Sequence, residues 1–161
     1  MIYWFFGYPG VGKDYCAIKL AQICNISHID ADEYLTDREK KKLVEGKFST
    51  KDRLIKLKRI IIDLQSINSF NSLTIGDSLP DNASRKFVLN SLGENVKLIH
   101  VTSPIYLHKK RMKRRKKHFF TLDLLDSYIS NNWEDIEVRH LEFNNIPSKD
   151  WEERLLALVN I

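Results

Sequence analysis

The sequence lacks any long apolar run, which argues against a membrane-spanning segment. A helix that crosses a bilayer needs about 20 consecutive apolar residues, whereas the apolar stretch at the start, residues 1–6, is six residues long. Because this stretch has no basic leader, it predicts a buried strand and not a signal peptide. We therefore expect a cytoplasmic protein that makes no contact with a membrane.

Cysteine is also scarce, with two residues in the chain, Cys16 and Cys24. On the helix predicted there, the two positions lie about 12 Å apart along the axis, which is too far for a disulfide. They form no metal-binding cluster with nearby histidines, so we interpret them as reduced helix residues, at least one of them packed in the core. Repeats and proline-rich linkers are lacking too, and 161 residues suit a single domain over residues 1–161.

The positive charge of the chain is concentrated in one segment. The net charge is +5, but residues 109–117 contain eight of the 26 Lys and Arg residues, which leaves 18 against 21 acidic residues elsewhere. A single basic segment suits an element that grips phosphate, and it also suits a solvated helix face or an RNA-binding patch.

Strand and helix patterns alternate along the chain, which predicts an α/β fold. We expect a five-stranded parallel sheet with helices on both faces, in three layers. The predicted strands are 2–6, a short strand ending at Ile29-Asp30, 72–75, 96–101 and 137–143. The predicted helices follow residue 13 and cover 33–45, 52–67, 81–92, a basic helix from Pro104, 121–131 and a final helix capped by Ser148.

Ligands of such sheets bind at the carboxyl ends of the strands. Four short segments come directly after predicted strands, so we expect the functional site at this edge. They are residues 7–13, 30–32, 77–78 and 102–103.

The first of these segments, Gly7-Tyr8-Pro9-Gly10-Val11-Gly12-Lys13, has the Gly-x-x-x-x-Gly-Lys pattern of a Walker A loop and is called the phosphate loop below. Its glycines let backbone N–H groups surround phosphate oxygens, the following helix adds its positive end, and the lysine adds a point charge. The pattern predicts ATP binding by Gly7, Gly10, Val11, Gly12, Lys13, Asp14 and Tyr15.

The residue after the lysine departs from the pattern. A Walker A loop has Ser or Thr there to place a hydroxyl on Mg²⁺, and this chain has Asp14. A carboxylate is a harder oxygen ligand, so Asp14 is a candidate ligand for Mg²⁺. The alternative is an acidic residue that is stabilised by the helix dipole alone.

Three further acids follow predicted strands. Asp30 and Asp32 lie on the same side of a predicted extended segment, which suits the activation of an acceptor hydroxyl. We assign Asp30 as the catalytic group and a candidate metal ligand, and Asp32 as a contact of the acceptor. Asp77 is a further candidate for contact with the metal or the substrate. Its alternative role is to cap the helix after Pro80.

The chain resembles the small P-loop kinases that include gluconate kinases, adenylylsulfate kinases and shikimate kinases. Asp30-Ala31-Asp32 is similar to the Asp-Gly-Asp of the first two, Phe48-Ser49-x-x-Asp52-Arg53 is similar to the adenylylsulfate kinase form, and Arg115-Lys116-Lys117-His118-Phe119 with Leu124-Leu125-Asp126-Ser127 is similar to the gluconate kinase lid. These matches, with the phosphate loop, extend from residue 7 to about residue 127. The resemblance departs from the family pattern at Asp14 and Ala31.

The resemblance implies a nucleoside-monophosphate-kinase-like fold and ATP-dependent transfer of a phosphoryl group to a hydroxyl of a small acceptor. It implies acceptor contacts from Asp32 and Arg53 in a helical region over 33–67, and a mobile lid over 113–121. His118 either contacts the acceptor or ends the lid.

A lid that lowers arginines onto the transferring phosphate suits the basic segment. Arg111, Arg114 and Arg115 are the candidates, and we assign catalytic roles to Arg111 and Arg115 together with Lys13.

Two alternatives stay open. Gly-Lys-Asp also occurs in deoxynucleoside-monophosphate kinases and animal-type phosphomevalonate kinases, and Gly76-Asp77 followed by Arg85-Lys86 resembles their third strand and basic segment. The other alternative is a nucleotide-binding module without turnover, or an RNA-binding protein that uses residues 109–117. The sequence is compatible with a monomer or a homodimer.

Overall fold

A computed structural model describes residues 1–66, 72–114, 125 and 133–160. Most of the predicted lid and the helix predicted over 121–131 lie outside these residues. The described elements are β1 (Ile2–Phe6), α1 (Lys13–Cys24), β2 (Ser27–Asp30), α2 (Asp37–Val44), α3 (Thr50–Ser66), β3 (Leu73–Asp77), α4 (Asn82–Leu92), β4 (Val96–Thr102), α5 (Ile105–Lys113), β5 (Leu141–Asn144) and α6 (Trp151–Ala157), with short 3-10 helices at Ala31–Tyr34 and Gly93–Asn95.

The described strands form one sheet in the order β2-β3-β1-β4-β5, and every neighbouring pair is parallel. β1 lies in the centre of the sheet. Four of its consecutive residues are buried, which requires the sheet to be packed on both faces. In the register, Phe6 is opposite both Asp77 and His100. The carboxyl ends of β3, β1 and β4 therefore meet at one edge of the sheet.

The side chains of β1 alternate between two cores. Tyr3 and Phe5 pack with residues of α1 and α6 on one face, whereas Trp4 and Phe6 pack with residues of α3 and α4 on the other. This alternation is the period of two that a strand imposes. The predicted five-stranded parallel sheet with helices on both faces is confirmed.

The third strand is longer than predicted. The sequence pattern ends it at Ile75, but β3 continues through Gly76 and Asp77, because these two residues pair with Phe5 and Phe6 of β1. Asp77 is therefore a strand residue with a fixed position at the carboxyl edge and not part of a turn.

The last strand and helix begin later than predicted. β5 begins at Leu141 and not at Glu137, because the Glu137 N–H donates to the side chain of Asn82 at 3.1 Å and not to a neighbouring strand. Ser148 is not the N-cap of the final helix; Asp150 takes that position, and its side chain makes no capping hydrogen bond.

The helical region predicted over 33–67 consists of a 3-10 helix, α2 and α3. A capping box starts α2, in which the Glu39 N–H donates to Thr36 Oγ1 at 3.2 Å and the Thr36 N–H donates to Glu39 Oε2 at 2.8 Å. Arg59 of α3 also donates to Glu39 at 2.8 Å, so the two helices are joined at this point. Among the described residues, no helix is both long and apolar enough to cross a bilayer.

Candidate active site

The phosphate loop turns between β1 and α1 through three glycines with positive φ, which are Gly7 at 155° and, nearer the helix, Gly10 and Gly12. Gly10 has φ 81° and Gly12 has φ 93°, which are backbone angles that residues with a Cβ rarely adopt. Between them, Val11 is fully buried, and its N–H donates to Tyr8 O at 3.2 Å. The loop is thus anchored in the core, and a Cβ on Gly10 or Gly12 would overlap the side chain of Met112 or Asn145.

The loop leads directly into the amino end of α1. The first hydrogen bond of the helix runs from Cys16 N to Gly12 O at 3.0 Å, so the N–H groups of the first turn lie at the positive end of the helix. Lys13 is largely buried there, and its Nζ lies 3.4 Å from Asp14 Oδ2. This combination of N–H groups, dipole and lysine charge is suited to binding a phosphate chain.

Arg111 binds the backbone of the phosphate loop. Its guanidinium donates to Val11 O, to Ser103 Oγ at 3.2 Å and to Asn145 O at 3.1 Å. The Asn145 amide donates to the same Val11 carbonyl at 2.9 Å. Burial lowers the pKa of Arg111, although the group stays a cation. Sequence reasoning missed Asn145, because no motif surrounds it.

Of the predicted lid over 113–121, the structure describes residues 113 and 114. Arg114 is exposed at the end of α5, whereas Arg115 and His118 lie outside the described residues.

A cavity of about 670 Å³ opens beside the phosphate loop. Gly12, Tyr15, Arg111 and Trp151 are among the residues that line it. The rings of Tyr15 and Trp151 lie 5.4 Å apart, and Trp151 Nε1 donates to Asn145 Oδ1 at 2.9 Å. The cavity thus joins aromatic surface to the phosphate loop.

Asp14 packs against the carboxyl end of β3. A Cβ on Gly76 would overlap Asp14 Oδ1 and would lie 3.3 Å from Asp14 Cα. Only a glycine at position 76, directly before Asp77, therefore leaves space for the Asp14 carboxylate beside β3. Sequence reasoning did not assign this role to Gly76.

Asp77 is buried and forms an ion pair with Lys56 of α3, with 2.8 Å between Nζ and Oδ1. The Ser78 N–H donates to the same oxygen at 2.7 Å. The second oxygen, Oδ2, is buried and has no hydrogen-bond partner among the described residues. A buried carboxylate oxygen of this kind is costly unless a cation or a donor approaches it.

The two acids after β2 differ in their surroundings. Asp30 is exposed, and its Oδ1 accepts from the Asp32 N–H at 2.9 Å, so Asp30 is the N-cap of the 3-10 helix. Asp32 is half-buried, and desolvation raises its pKa against the opposing charges of Lys13 and Lys56. The segment is therefore a 3-10 turn and not the extended segment that the sequence pattern predicts. The catalytic and metal-binding roles of Asp30 remain predictions.

Arg53 lies deep in the predicted acceptor region. Its side chain is paired with Asp81, and both side chains are 6% exposed. The guanidinium also lies over the ring of Phe48, 5.5 Å from its centroid. Asp81 in turn accepts from the Ser84 N–H at 2.7 Å and caps α4. The predicted contact of Arg53 with the acceptor remains a prediction.

Arg85 has a different position from the one that its resemblance to a basic acceptor segment suggests. It is fully buried between Phe6 and Trp133, and the carbonyls of Leu79, Pro80, Glu134 and Asp135 accept its hydrogen bonds. The neighbouring Lys86 pairs with Glu137 on the surface at 3.0 Å. Arg85 thus joins the loop after β3 to the segment before β5.

No protein-family model and no curated protein sequence matches this chain. Solved structures do match its fold. An unliganded sugar kinase from Janibacter sp. is 22% identical, with a TM-score of 0.81 over 99% of this chain and 94% of the other. A gluconokinase from Sinorhizobium meliloti is 21% identical, with a TM-score of 0.77 over 98% and 91%. An adenylylsulfate (APS) kinase from Mycobacterium tuberculosis, in complex with AMPPNP and APS, is 16% identical, with a TM-score of 0.69 over 99% and 95%.

These neighbours are small P-loop kinases. The chain matches them over nearly its whole length and over nearly the whole of theirs. The predicted resemblance is thus confirmed at the level of the fold, and this chain has the fold of the small P-loop kinases.

Proposed function

We propose that this protein is an ATP-dependent phosphotransferase that transfers the γ-phosphoryl group to a hydroxyl of a small acceptor. One observation carries the proposal: the half-buried Asp32 follows β2 at the carboxyl edge of the sheet, the edge at which the phosphate loop places Lys13, and the charge of Lys13 acts on its carboxylate. A carboxylate near the phosphate-binding lysine is the arrangement that phosphoryl transfer to a hydroxyl requires. The solved structures that share this fold and are named above are kinases.

In the proposed reaction, the acceptor oxygen attacks the γ-phosphorus. The bond from this phosphorus to the β–γ bridging oxygen breaks, and ADP leaves with the electron pair of that bond. The hydroxyl proton passes to Asp32, because its raised pKa makes it a stronger base than an ordinary aspartate. Lys13 and the N–H groups of the phosphate loop balance the charge on the phosphate oxygens.

The residues at this edge fit a Mg²⁺ ion. The donor set is two carboxylates, which are hard oxygen ligands, and Asp77 Oδ2 is a buried oxygen with no other partner among the described residues. Asp14 lies against Gly76, the residue that precedes Asp77, so both carboxylates lie at the carboxyl end of β3. We assign the metal to Asp14 and Asp77. When bound, the ion neutralises charge on the β- and γ-phosphates.

The cavity beside the phosphate loop suits the base of the nucleotide. Tyr15 and Trp151 present aromatic surface to it, and Arg111 presents a planar cation. Stacking on rings and on a guanidinium favours a flat heteroaromatic group. The nucleotide would thus extend from this cavity to Lys13.

For the acceptor, we favour a hydroxyl-rich sugar or sugar acid. Two of the solved neighbours are a sugar kinase and a gluconokinase. Arg85 offers no support for a nucleotide acceptor, because backbone carbonyls accept its hydrogen bonds inside the protein. Adenylylsulfate is the alternative acceptor to test against sugars and sugar acids, since an adenylylsulfate kinase shares the fold.

The test is release of ADP from ATP and Mg²⁺ in the presence of single acceptors: gluconate, neutral sugars, adenylylsulfate, shikimate and deoxynucleoside monophosphates. We expect acceleration by a sugar or sugar acid. Lys13→Met is expected to lose both ATP binding and turnover, and Asp32→Asn is expected to lower kcat by about 10²–10⁴-fold while ATP still binds.

Asp30→Asn is the matched comparison, because Asn also caps helices and the side chain is exposed. We expect a loss of less than about tenfold for this variant, since general base catalysis alone contributes 10²-fold or more. If no acceptor raises ADP release although ATP binds, the kinase proposal is wrong and the module without turnover is favoured. If Asp30→Asn loses more than Asp32→Asn, the assignment of the base is reversed.

A further inference from the structure

Three metal-ligating side chains meet on the β4–β5 ladder, apart from the proposed active site. His100 of β4 is opposite Glu142 of β5 in the register. His140 lies directly before β5, and its ring reaches the carboxylate of Glu142. His100, His140 and Glu142 are called the ladder cluster below.

The ligand atoms of the ladder cluster are already close to one another. His100 Nδ1 and His140 Nε2 each lie 2.9 Å from the same oxygen, Glu142 Oε1, and all three atoms lie within 4.8 Å of one another. A tetrahedral ion with ligands at about 2.0–2.2 Å holds neighbouring ligand atoms about 3.3 Å apart. Side-chain movements of less than about 2 Å would therefore bring the three ligand atoms to the spacing of a tetrahedral site.

The hydrogen bonds of His140 specify which nitrogen faces the carboxylate. Its Nδ1 lies 2.8 Å from Val138 O, and a carbonyl only accepts, so the proton is on Nδ1. In the neutral imidazole, Nε2 then turns its lone pair toward Glu142 Oε1. Two acceptors at this distance need a cation between them, which is either a second proton on the ring or a metal ion.

The Val138 carbonyl also supplies what metal-ligating histidines usually have. Such a histidine donates its other ring N–H to a carbonyl or a carboxylate, which fixes the tautomer and the ring orientation. The second histidine is held by stacking, since the His100 ring lies 5.1 Å from that of Phe6 and 6.0 Å from that of Trp133. Two of the three ligands are thus held in place before any ion binds.

The cluster has an open approach from solvent. The side chains of His100, His140 and Glu142 are 12%, 21% and 58% exposed, so the histidines form the base of the site and the carboxylate forms its outer wall. β5 is the edge strand of the described sheet, and no further described strand covers this side.

We propose that the ladder cluster binds a divalent late transition-metal ion of the Zn²⁺ class, with two imidazole nitrogens, one carboxylate oxygen and water as ligands. Two histidines and one glutamate form a known zinc donor set, and imidazole favours Zn²⁺, Cu²⁺ and Ni²⁺ over Mg²⁺. The ion would join β4 to β5 and to the segment that precedes β5. This site does not depend on the proposed kinase function.

The test is calorimetric titration of Zn²⁺ into the full chain, without a polyhistidine tag and with excess Mg²⁺ to occupy hard oxygen sites. We expect one ion per chain. His140→Gln and Glu142→Gln are each expected to weaken binding by more than about tenfold, the lower limit for the loss of even an outer partner. Glu137→Gln is the control, because this carboxylate is exposed nearby and pairs with a lysine; its affinity is expected to equal that of the wild type.

Tryptophan fluorescence gives a second measurement. Cu²⁺ is expected to quench Trp133, whose ring neighbours His100, and Trp133→Phe is expected to remove most of the quenching. The melting temperature of each variant without metal checks that it folds. Absence of stoichiometric Zn²⁺ binding to the wild type would overturn the proposal. Equal affinity of the double variant His140→Gln/Glu142→Gln and the wild type would overturn it as well.

Discussion

Gly76→Ala tests whether Asp14 occupies the position at the end of β3 that the structure gives it. The added Cβ would overlap Asp14 Oδ1 and would lie 3.3 Å from Asp14 Cα. The carboxylate has to rotate away, and the backbone contact has to lengthen by a few tenths of an ångström. We expect a cost of about 1–3 kcal/mol, which is typical of an added methyl group in a packed site.

For a domain of this size, 1 kcal/mol corresponds to about 2–4 °C in melting temperature. Gly76→Ala is therefore expected to lower the melting temperature by about 2–12 °C. Asp14→Ser shortens the side chain and restores the hydroxyl that Walker A loops usually have at this position. In the Asp14→Ser background, Gly76→Ala is expected to cost less than about 1 kcal/mol, because the overlapping oxygen is gone.

The assay is a double-mutant cycle on free energies of unfolding, measured by urea denaturation of the four proteins. We expect a coupling energy between Asp14 and Gly76 within the range of about 0.5–3 kcal/mol that is found for residues in contact. Gly46→Ala is the control. It strains a φ of 68° but has no atom within 4 Å of its added Cβ, so its cost is expected to be the same in the wild type and in the Asp14→Ser background. Additivity of Gly76→Ala and Asp14→Ser would refute the contact.

Three further changes test other parts of the structure. Asp32→Asn is expected to raise the melting temperature at pH 7: burial raises the pKa of Asp32 from 3.8, so folding loses stability as the pH rises from that value through the folded pKa. An unchanged melting temperature would contradict this. Arg85→Met is expected to cost at least about 3 kcal/mol in urea denaturation, because several buried carbonyls lose their donor; Lys86→Gln, an exposed neighbour, should leave the midpoint unchanged. Thr36→Ala is expected to cost about 1 kcal/mol by removing the capping box, and an unchanged melting temperature would speak against this box.

The fold was predictable because its strongest signals are local. The apolar run of β1 and the glycines after it indicate a buried strand that turns into a helix, whatever the rest of the chain does. The end of β3 was not predictable in the same way. Gly76 and Asp77 have low strand propensity, and they remain in the strand because they pair with β1 and because Asp14 needs a residue without a side chain.

The candidate site was predictable where a motif fixes a residue, as for Lys13 and the phosphate loop. The different surroundings of Asp30 and Asp32 were not predictable. An extended segment and a 3-10 helix place the two acids differently, and the sequence does not show which of these two conformations the segment adopts. Asn145 is the clearest omission. Its importance arises only when β5 brings it against Val11, a contact between residues far apart in the chain.

The charges around Asp14 suggest why an acid follows the lysine of the phosphate loop. Asp14, Asp32 and Asp77 lie at one edge, opposed by Lys13 and Lys56, so the described carboxylates outnumber the lysines that face them. ATP without a divalent cation would add negative charge to this edge, which we expect to weaken its binding. A divalent cation reverses the balance, and Asp77 Oδ2 and Asp14 provide oxygens for it. We therefore expect the carboxylate at position 14 to make ATP binding more dependent on Mg²⁺ than a serine would, and Gly76 leaves the space for this carboxylate.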